Sequence, residues 1–459
     1  MFGLSPEWLL ADGVPIADAL VLSHPEQLER LQAGCPEAKP SAFLGGDPCY
    51  DRILAARVHR ERFRRALGVG PRQRLVLLNS TWNPESLFGD ADGADVLPSL
   101  LPRLAAELPA DEYRVAAVLH PNIWHGHGPG QVLSWLDRAR RGGLALVDPL
   151  HDWRQAVIAA DAAVGDFGSV SYYLAALGTP VLLGATPTAG LDPASPVAAF
   201  VRQAPALDPS APLRPQLERL LAAHRPLDGP RELTSSVPGG SAELLRGLFY
   251  RLIGIPEPPG PALLDPLPLP EYRPPLRTVP LRVLTSSPDP GPGSDSVGVG
   301  GGPLALERYA DAAPPLSAPQ RDEDGLSLHT AVDEETRDPG RLALADVIVR
   351  HGTAGDPRLG TPEQWTAEIL ARFPHCAVAA FVTGPADCTA RTAGGALFRL
   401  SGPRQSLEPA AFASALYAAL ARGDSPERLA TDGLTVRIGF APDAPVVTVA
   451  VTLAVTPLS

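Results

Sequence analysis

Residues 75–84 read Leu75-Val76-Leu77-Leu78-Asn79-Ser80-Thr81-Trp82-Asn83-Pro84, four apolar residues followed at once by amides, hydroxyls and an indole ring. A short continuous apolar run ending in turn residues suits a parallel-sheet strand covered on both faces. The pattern recurs at 19–23, 114–119, 144–147, 162–165 and 181–183, with helical spacing between the runs. Asp47-Pro48 supplies an N-cap and a first-turn proline for a helix reaching about residue 67, with Ile53, Leu54, Val58 and Phe63 on its apolar face. Further helices are expected at 96–108, 130–141, 152–160, 169–176, 213–224 and 241–253. The alternation predicts a doubly wound, Rossmann-like parallel sheet over residues 1–255.

Beyond that unit the composition changes. Seventeen of the 53 prolines fall between 256 and 319, together with the glycine-rich stretch 291–302, so 256–340 is expected to be a Pro/Gly-rich linker. Pattern returns over 341–459. Thr361-Pro362-Glu363-Gln364 is a capping box opening a helix to about 373, and 408–422 reads as a second helix closed by Gly423. With strands expected at 343–349, 377–382, 396–401, 434–440 and 446–455, this region is expected to be a small α+β domain of unassigned role.

Composition excludes several chemistries. Of 39 basic residues, Lys39 is the sole lysine, and its Cys35-Pro36-Glu37-Ala38-Lys39-Pro40 setting is neither a phosphate loop nor a Schiff-base site. A net charge of −12 argues against general nucleic-acid binding. Cys35, Cys49, Cys376 and Cys388 lack metal-ligand spacing and are expected to be free thiols in a reducing cytoplasm. The opening Met1-Phe2-Gly3-Leu4 does not begin a signal peptide, and the apolar run 444–455 is short for a membrane span.

Scarce residue types gather between 79 and 153. All three asparagines, four of ten histidines and four of six tryptophans lie there. In open parallel sheets, ligands bind at the carboxyl ends of the strands, and three segments sit just past predicted strand ends. The first, Asn79-Ser80-Thr81-Trp82-Asn83-Pro84, offers amides and hydroxyls to a phosphate or ribose; as a purely local feature it is a capped turn. The second, His120-Pro121-Asn122, can present an imidazole to an anionic leaving group as a hydrogen-bond donor, or as an acid if its pKa is raised. His125 and His127 read as loop surface, and no ligand set for a metal is completed around them. The third, Gly165-Asp166-Phe167-Gly168-Ser169-Val170-Ser171, turns into a helix whose first amides can hold an anion, with Ser169 and Ser171 adding hydroxyls; alternatively Asp166 and Ser169 only cap that helix.

The order of these segments, through Ala175-Ala176-Leu177 and Pro180-Val181-Leu182, resembles the nucleotide-donor half of the CDP-glycerol glycerophosphotransferases, relatives of GT-B glycosyltransferases and of UDP-N-acetylglucosamine 2-epimerase. The resemblance spans about 19–254. It implies a GT-B donor-type fold and a nucleotide-diphosphate-linked donor as substrate, with no resident cofactor or metal. His120 is thereby the implied catalytic contact to the donor pyrophosphate, and Ser169, Thr81 and the helix amides are implied to line the same cleft. Asn79, Trp82, Asn122, Asp166, Gly168 and Ser171 complete the expected binding set. This chain departs from the family motifs at Asn83, Gly168 and Tyr173, where the family has an arginine, a serine and an acid. About 40 residues precede Gly46-Asp47-Pro48, so an acceptor-side domain is expected from an upstream segment or a protein partner. Three functions stay open: a glycerophospho- or glycosyltransferase, a non-catalytic nucleotide-binding scaffold, and a sugar-nucleotide epimerase.

Overall fold

The computed structural model describes residues 4–89, 96–187, 190–286, 302–310, 326–403 and 407–454. Strands β1 (Leu20–Leu22) and β2 (Ala42–Leu44) form a small parallel pair of their own. Helix α1 (Pro48–Ala56) follows; Asp47 caps it, accepting from the Tyr50 amide at 2.9 Å. The long helix expected to reach residue 67 is broken by a 3₁₀ turn at Arg57–His59 before resuming at Arg60–Ala66, which turns Val58 out to solvent.

The main sheet comprises β3 (Arg74–Ser80), β4 (Tyr113–Leu119), β5 (Ala145–Leu146), β6 (Ala162–Gly165) and β7 (Val181–Leu183), all parallel, in the order β5-β4-β3-β6-β7. Alternation along β3 explains its unbroken apolar run. Leu75 and Leu77 enter one hydrophobic cluster, while Val76 and Leu78 enter another, so both faces exclude water and neither tolerates a polar side chain. Helix α2 (Ser169–Ala176) leaves the carboxyl end of β6. Because β4, β3 and β6 are neighbours running in one direction, the three polar bends emerge at a single edge.

The described parts of the 256–340 segment do not form the expected linker. Its first part is strapped to the sheet unit: Gln155 Nε2 donates to the Pro268 carbonyl at 2.9 Å, and the Arg273 amide donates to that of Ala66 at 2.8 Å. It then supplies three strands, β8 (Leu281–Ser286), β9 (Leu304–Ala310) and β10 (Leu326–Asp333). The glycine-rich stretch lies outside the described residues except for Gly302.

These three strands join β11 (Val347–His351), β12 (Val378–Val382), β13 (Asp387–Thr392), β14 (Leu397–Ser401), β15 (Leu434–Ile438) and β16 (Val446–Ala454) in a closed nine-stranded barrel. The expected small α+β domain is thus larger than drawn and begins inside the supposed linker. Within it, residues 339–343 form a short helix where the start of a strand was expected, and that strand, β11, begins at Val347. Helix α3 (Pro409–Ala421) shares one hydrophobic core with residues from all nine strands. An alanine-rich helix apolar all round must be buried, and its small side chains fit within the ring of strands. The predicted capping box at Thr361 forms and starts helix Pro362–Arg372, which packs on the outer face.

Barrel and sheet meet along a charged seam. The Ala110 amide donates to the Arg308 carbonyl at 2.7 Å, and the fully buried Arg308 guanidinium forks onto Asp111 at 2.8 and 2.6 Å.

Candidate functional site at the carboxyl edge

Asp166 ties the first and third bends together. It is fully buried; Oδ2 accepts from the amides of Thr81 (2.8 Å) and Leu87 (3.1 Å) and from Ser80 Oγ (3.1 Å), and Oδ1 accepts from the Gly168 amide (3.0 Å). Burial pushes this carboxyl up, against hydrogen bonds that favour its charge. Asp166 therefore acts as a brace. Beneath it, Ser171 Oγ donates to Asn79 Oδ1 at 2.8 Å, with both residues buried. A Cβ on Gly165 would collide with Asn79 and Ser171. Asn79, Asp166 and Ser171, expected in the binding set, thus shape the bend from below.

The second bend behaves differently. His120 precedes helix Pro121–His127 and caps it, Nδ1 accepting from the Asn122 amide at 3.1 Å. Burial lowers the imidazole pKa, so the ring is neutral near pH 7 and carries its proton on Nε2. It can donate a hydrogen bond there, whereas the raised pKa needed for an acid is absent. The ring lies 6.3 Å from that of Trp82. Asn122 is exposed.

Above the braced bends opens a cavity of about 670 Å³, to which Thr81, Trp82, Gly168 and Ser169 contribute. His120 and Asn122 are not among its lining residues; His120 approaches it only through Trp82. Helix α2 begins at this cavity with Gly168 as N-cap and no side-chain cap, so its first amides keep their dipole for a ligand. A Cβ at position 168 would sit 3.0 Å from Asp166 Oδ1 and 3.2 Å from Thr81 Cβ, which gives the glycine a steric reason.

Several lining residues were not found by sequence reading. Glu26, Asp47 and Glu85 bring three carboxylates, and Trp8, Phe167, Tyr172 and Tyr173 bring rings. Tyr173, at the family's acid position, donates its hydroxyl to Asp47 Oδ2 at 2.8 Å, so a carboxylate is present there from a different segment. Burial, and then the Asp47 charge, push the Tyr173 hydroxyl far up, keeping it protonated. The Tyr172 hydroxyl is buried without a partner. The one advance signal was Asp47 itself, read as a helix cap; a cap uses one oxygen and leaves the other available. Among the described residues, no lysine, arginine or histidine lines the cavity. The cavity thus presents backbone amides and hydroxyls at the start of α2, flanked by rings and by three carboxylates.

No family model and no curated protein matches this chain. Solved structures similar to it include a variant of the wall teichoic acid polymerase TagF, at 15% identity over 52% of this chain and 58% of that one, with a TM-score of 0.37. Another is a putative UDP-N-acetylglucosamine 2-epimerase from Listeria monocytogenes, at 15% identity over 54% and 63%, TM-score 0.30. A third is a glycosyltransferase from Rickettsia africae, at 11% identity over 53% and 64%, TM-score 0.30. The chain spans less than two thirds of the length of each.

Proposed function

We propose that the carboxyl-edge cavity binds a nucleotide-diphosphate-linked donor and that the protein transfers its glycosyl or glycerol-phosphate unit. The observation that carries this reading is the meeting of Thr81 and the uncapped start of α2 in one cavity, braced by Asp166. A phosphate held there accepts from the α2 amides and the Ser169 hydroxyl, and the same donors stabilise charge building on the departing phosphate. Trp82 offers a face for stacking, and Asp47, Glu26 and Glu85 accept from hydroxyls of the transferred unit. His120 contributes Nε2–H as a donor beside Trp82. The acceptor side is supplied by a further domain or a partner, in the cytoplasm, a setting that four free cysteines support.

A second reading, a non-catalytic nucleotide-binding module, is favoured by one observation: among the described residues no cationic side chain lines the cavity, and His120 stands outside the lining. Calorimetry with CDP, UDP and CDP-glycerol on wild type and His120→Ala, followed by a transfer assay, decides between them. The transferase reading expects binding by wild type and loss of turnover in His120→Ala. Binding without turnover under any acceptor condition supports the module, and no binding of any nucleotide overturns both.

A further inference from the structure

A second cavity, of about 950 Å³, lies at the opposite edge of the sheet, between it and the barrel. On the sheet side it is formed by the end of helix Arg60–Ala66 and the turn leading into the amino end of β3. On the barrel side it is formed by the carboxyl ends of β11 and β12 and the residues opening α3. It is a concave site between two packed units, a place where small-molecule sites form.

Its charge is opposite to that of the first cavity. Arg62, Arg65, Arg72, Arg277 and His351 line it, against the two carboxylates Asp111 and Glu408. Both carboxylates are already engaged. Asp111 takes the Arg308 fork, and Glu408 Oε2 takes Arg308 at 2.6 Å and Arg277 at 3.0 Å. The three arginines of the sheet side are exposed, and among the described residues their side chains make no ion pair or hydrogen bond. His351 is held between Asp333 Oδ2 at 3.3 Å and Glu408 Oε1 at 3.6 Å. These hydrogen bonds and charges outweigh burial and raise the imidazole pKa to about 9, so at neutral pH it is charged and balances Asp333 and Glu408, leaving the three exposed arginines as the surplus. Apolar surface stands beside these cations: Leu276, Leu269 and Tyr272 are exposed on the strap, and Val382 and Leu407 lie deeper. In a chain of net charge −12, a pocket with surplus cations focuses anions.

We infer that this seam cavity is a second binding site, for an organic phosphate: a phosphoryl group held by the exposed Arg62, Arg65 and Arg72, beside the ion-paired Arg277 and His351, with an aromatic or aliphatic body lying against the strap and barrel residues. It is independent of the donor reading, since it lies at the other end of the strands and shares no residue with the first cavity.

The test is calorimetry on the full chain with 1-naphthyl phosphate, 1-naphthol and inorganic phosphate as probes, comparing wild type, the double variant Arg65→Glu/Arg72→Glu, His351→Gln and Trp82→Ala. Wild type is expected to bind naphthyl phosphate at the seam, in a component that Trp82→Ala leaves in place, with inorganic phosphate weaker and naphthol weakest. The double variant, with melting temperature unchanged because both side chains are exposed, is expected to lose about tenfold or more in affinity through like-charge repulsion. His351→Gln is expected to lose less, and Trp82→Ala nothing. The inference fails if naphthyl phosphate does not bind, if naphthol binds as tightly, if the double variant binds unchanged, or if Trp82→Ala abolishes binding.

Discussion

The two edges of the parallel sheet carry cavities of opposite character. The carboxyl-edge cavity is lined by rings and three carboxylates, and its donors to an anion are backbone amides and hydroxyls. The amino-edge cavity is lined by arginines and a charged histidine. Dipoles at a helix start suit one phosphate whose neighbours are hydroxyls, because added carboxylates repel further anionic charge. Arginines suit an anion that must be drawn from solvent. The contrast therefore separates two ways of holding phosphate, one preorganised by the backbone and one by side-chain charge, and each fails under different substitutions.

The largest expected effect lies in the seam itself. Arg308→Met leaves the buried Asp111 without its guanidinium, while the half-buried Glu408 keeps Arg277, and breaking this largely buried network costs about 3 kcal/mol. Urea denaturation should show that loss, and a change under about 1 kcal/mol would mean that the seam is not what holds sheet and barrel together. Next is the brace at the other edge. Asp166→Ala strips the acceptor from three backbone amides, for an expected loss of about 3 kcal/mol, and nucleotide binding should fall with it. If stability falls while nucleotide affinity holds, the two bends do not form the donor site.

Trp82→Ala separates the edges without unfolding either. The indole is 56% exposed, so stability should stay within about 0.5 kcal/mol. Nucleotide affinity should fall about tenfold, the scale of one lost base-stacking face, with phosphate binding at the seam unmoved.

How far each edge could be read beforehand follows from the same physics. The strands β3, β4, β6 and β7 lie within a residue of expectation because burial on both faces demands uninterrupted apolar runs. Thr81, Trp82, Gly168 and Ser169 were legible because polar residues directly past such a run have few structural uses. Asp47, Glu26 and Tyr172 were not, since nothing local to them marks convergence from separate segments. The barrel escaped for a related reason. In β9, Glu307 and Arg308 fall inside the expected linker, yet both are buried because their partners, Arg214 and Asp111, come from the sheet unit. Flanking prolines and glycines then disguised β8 to β10 as linker. His120 was legible as a residue but not in its state: its position past β4 was evident, whereas its use as a helix cap and its lowered pKa depend on how deeply the ring is set.

The smallest expected effect is a slope. His351 has its pKa raised from an ordinary 6.5 to about 9 in the folded chain, by Asp333 and Glu408 against the cost of burial. Above pH 6.5 the folded protein then binds more protons at this site than the unfolded one, so the stabilisation is complete below about pH 6.5 and is lost as pH rises to about 9. With a third of the side chain exposed, solvent screening reduces the contribution to about 1 kcal/mol. Glu112 complicates the raw profile. Burial, opposed by Arg214 and reinforced by Glu307, pushes its carboxyl up to about 7, so stability also falls between about pH 4.5 and 7 from that site. The difference between wild type and His351→Gln removes the Glu112 contribution, because both proteins share it. That difference should favour wild type at pH 6 and shrink by about 1 kcal/mol by pH 9.5 in chemical denaturation. A flat difference would mean that His351 is not held as an imidazolium, and the seam cavity would then rest on its arginines alone.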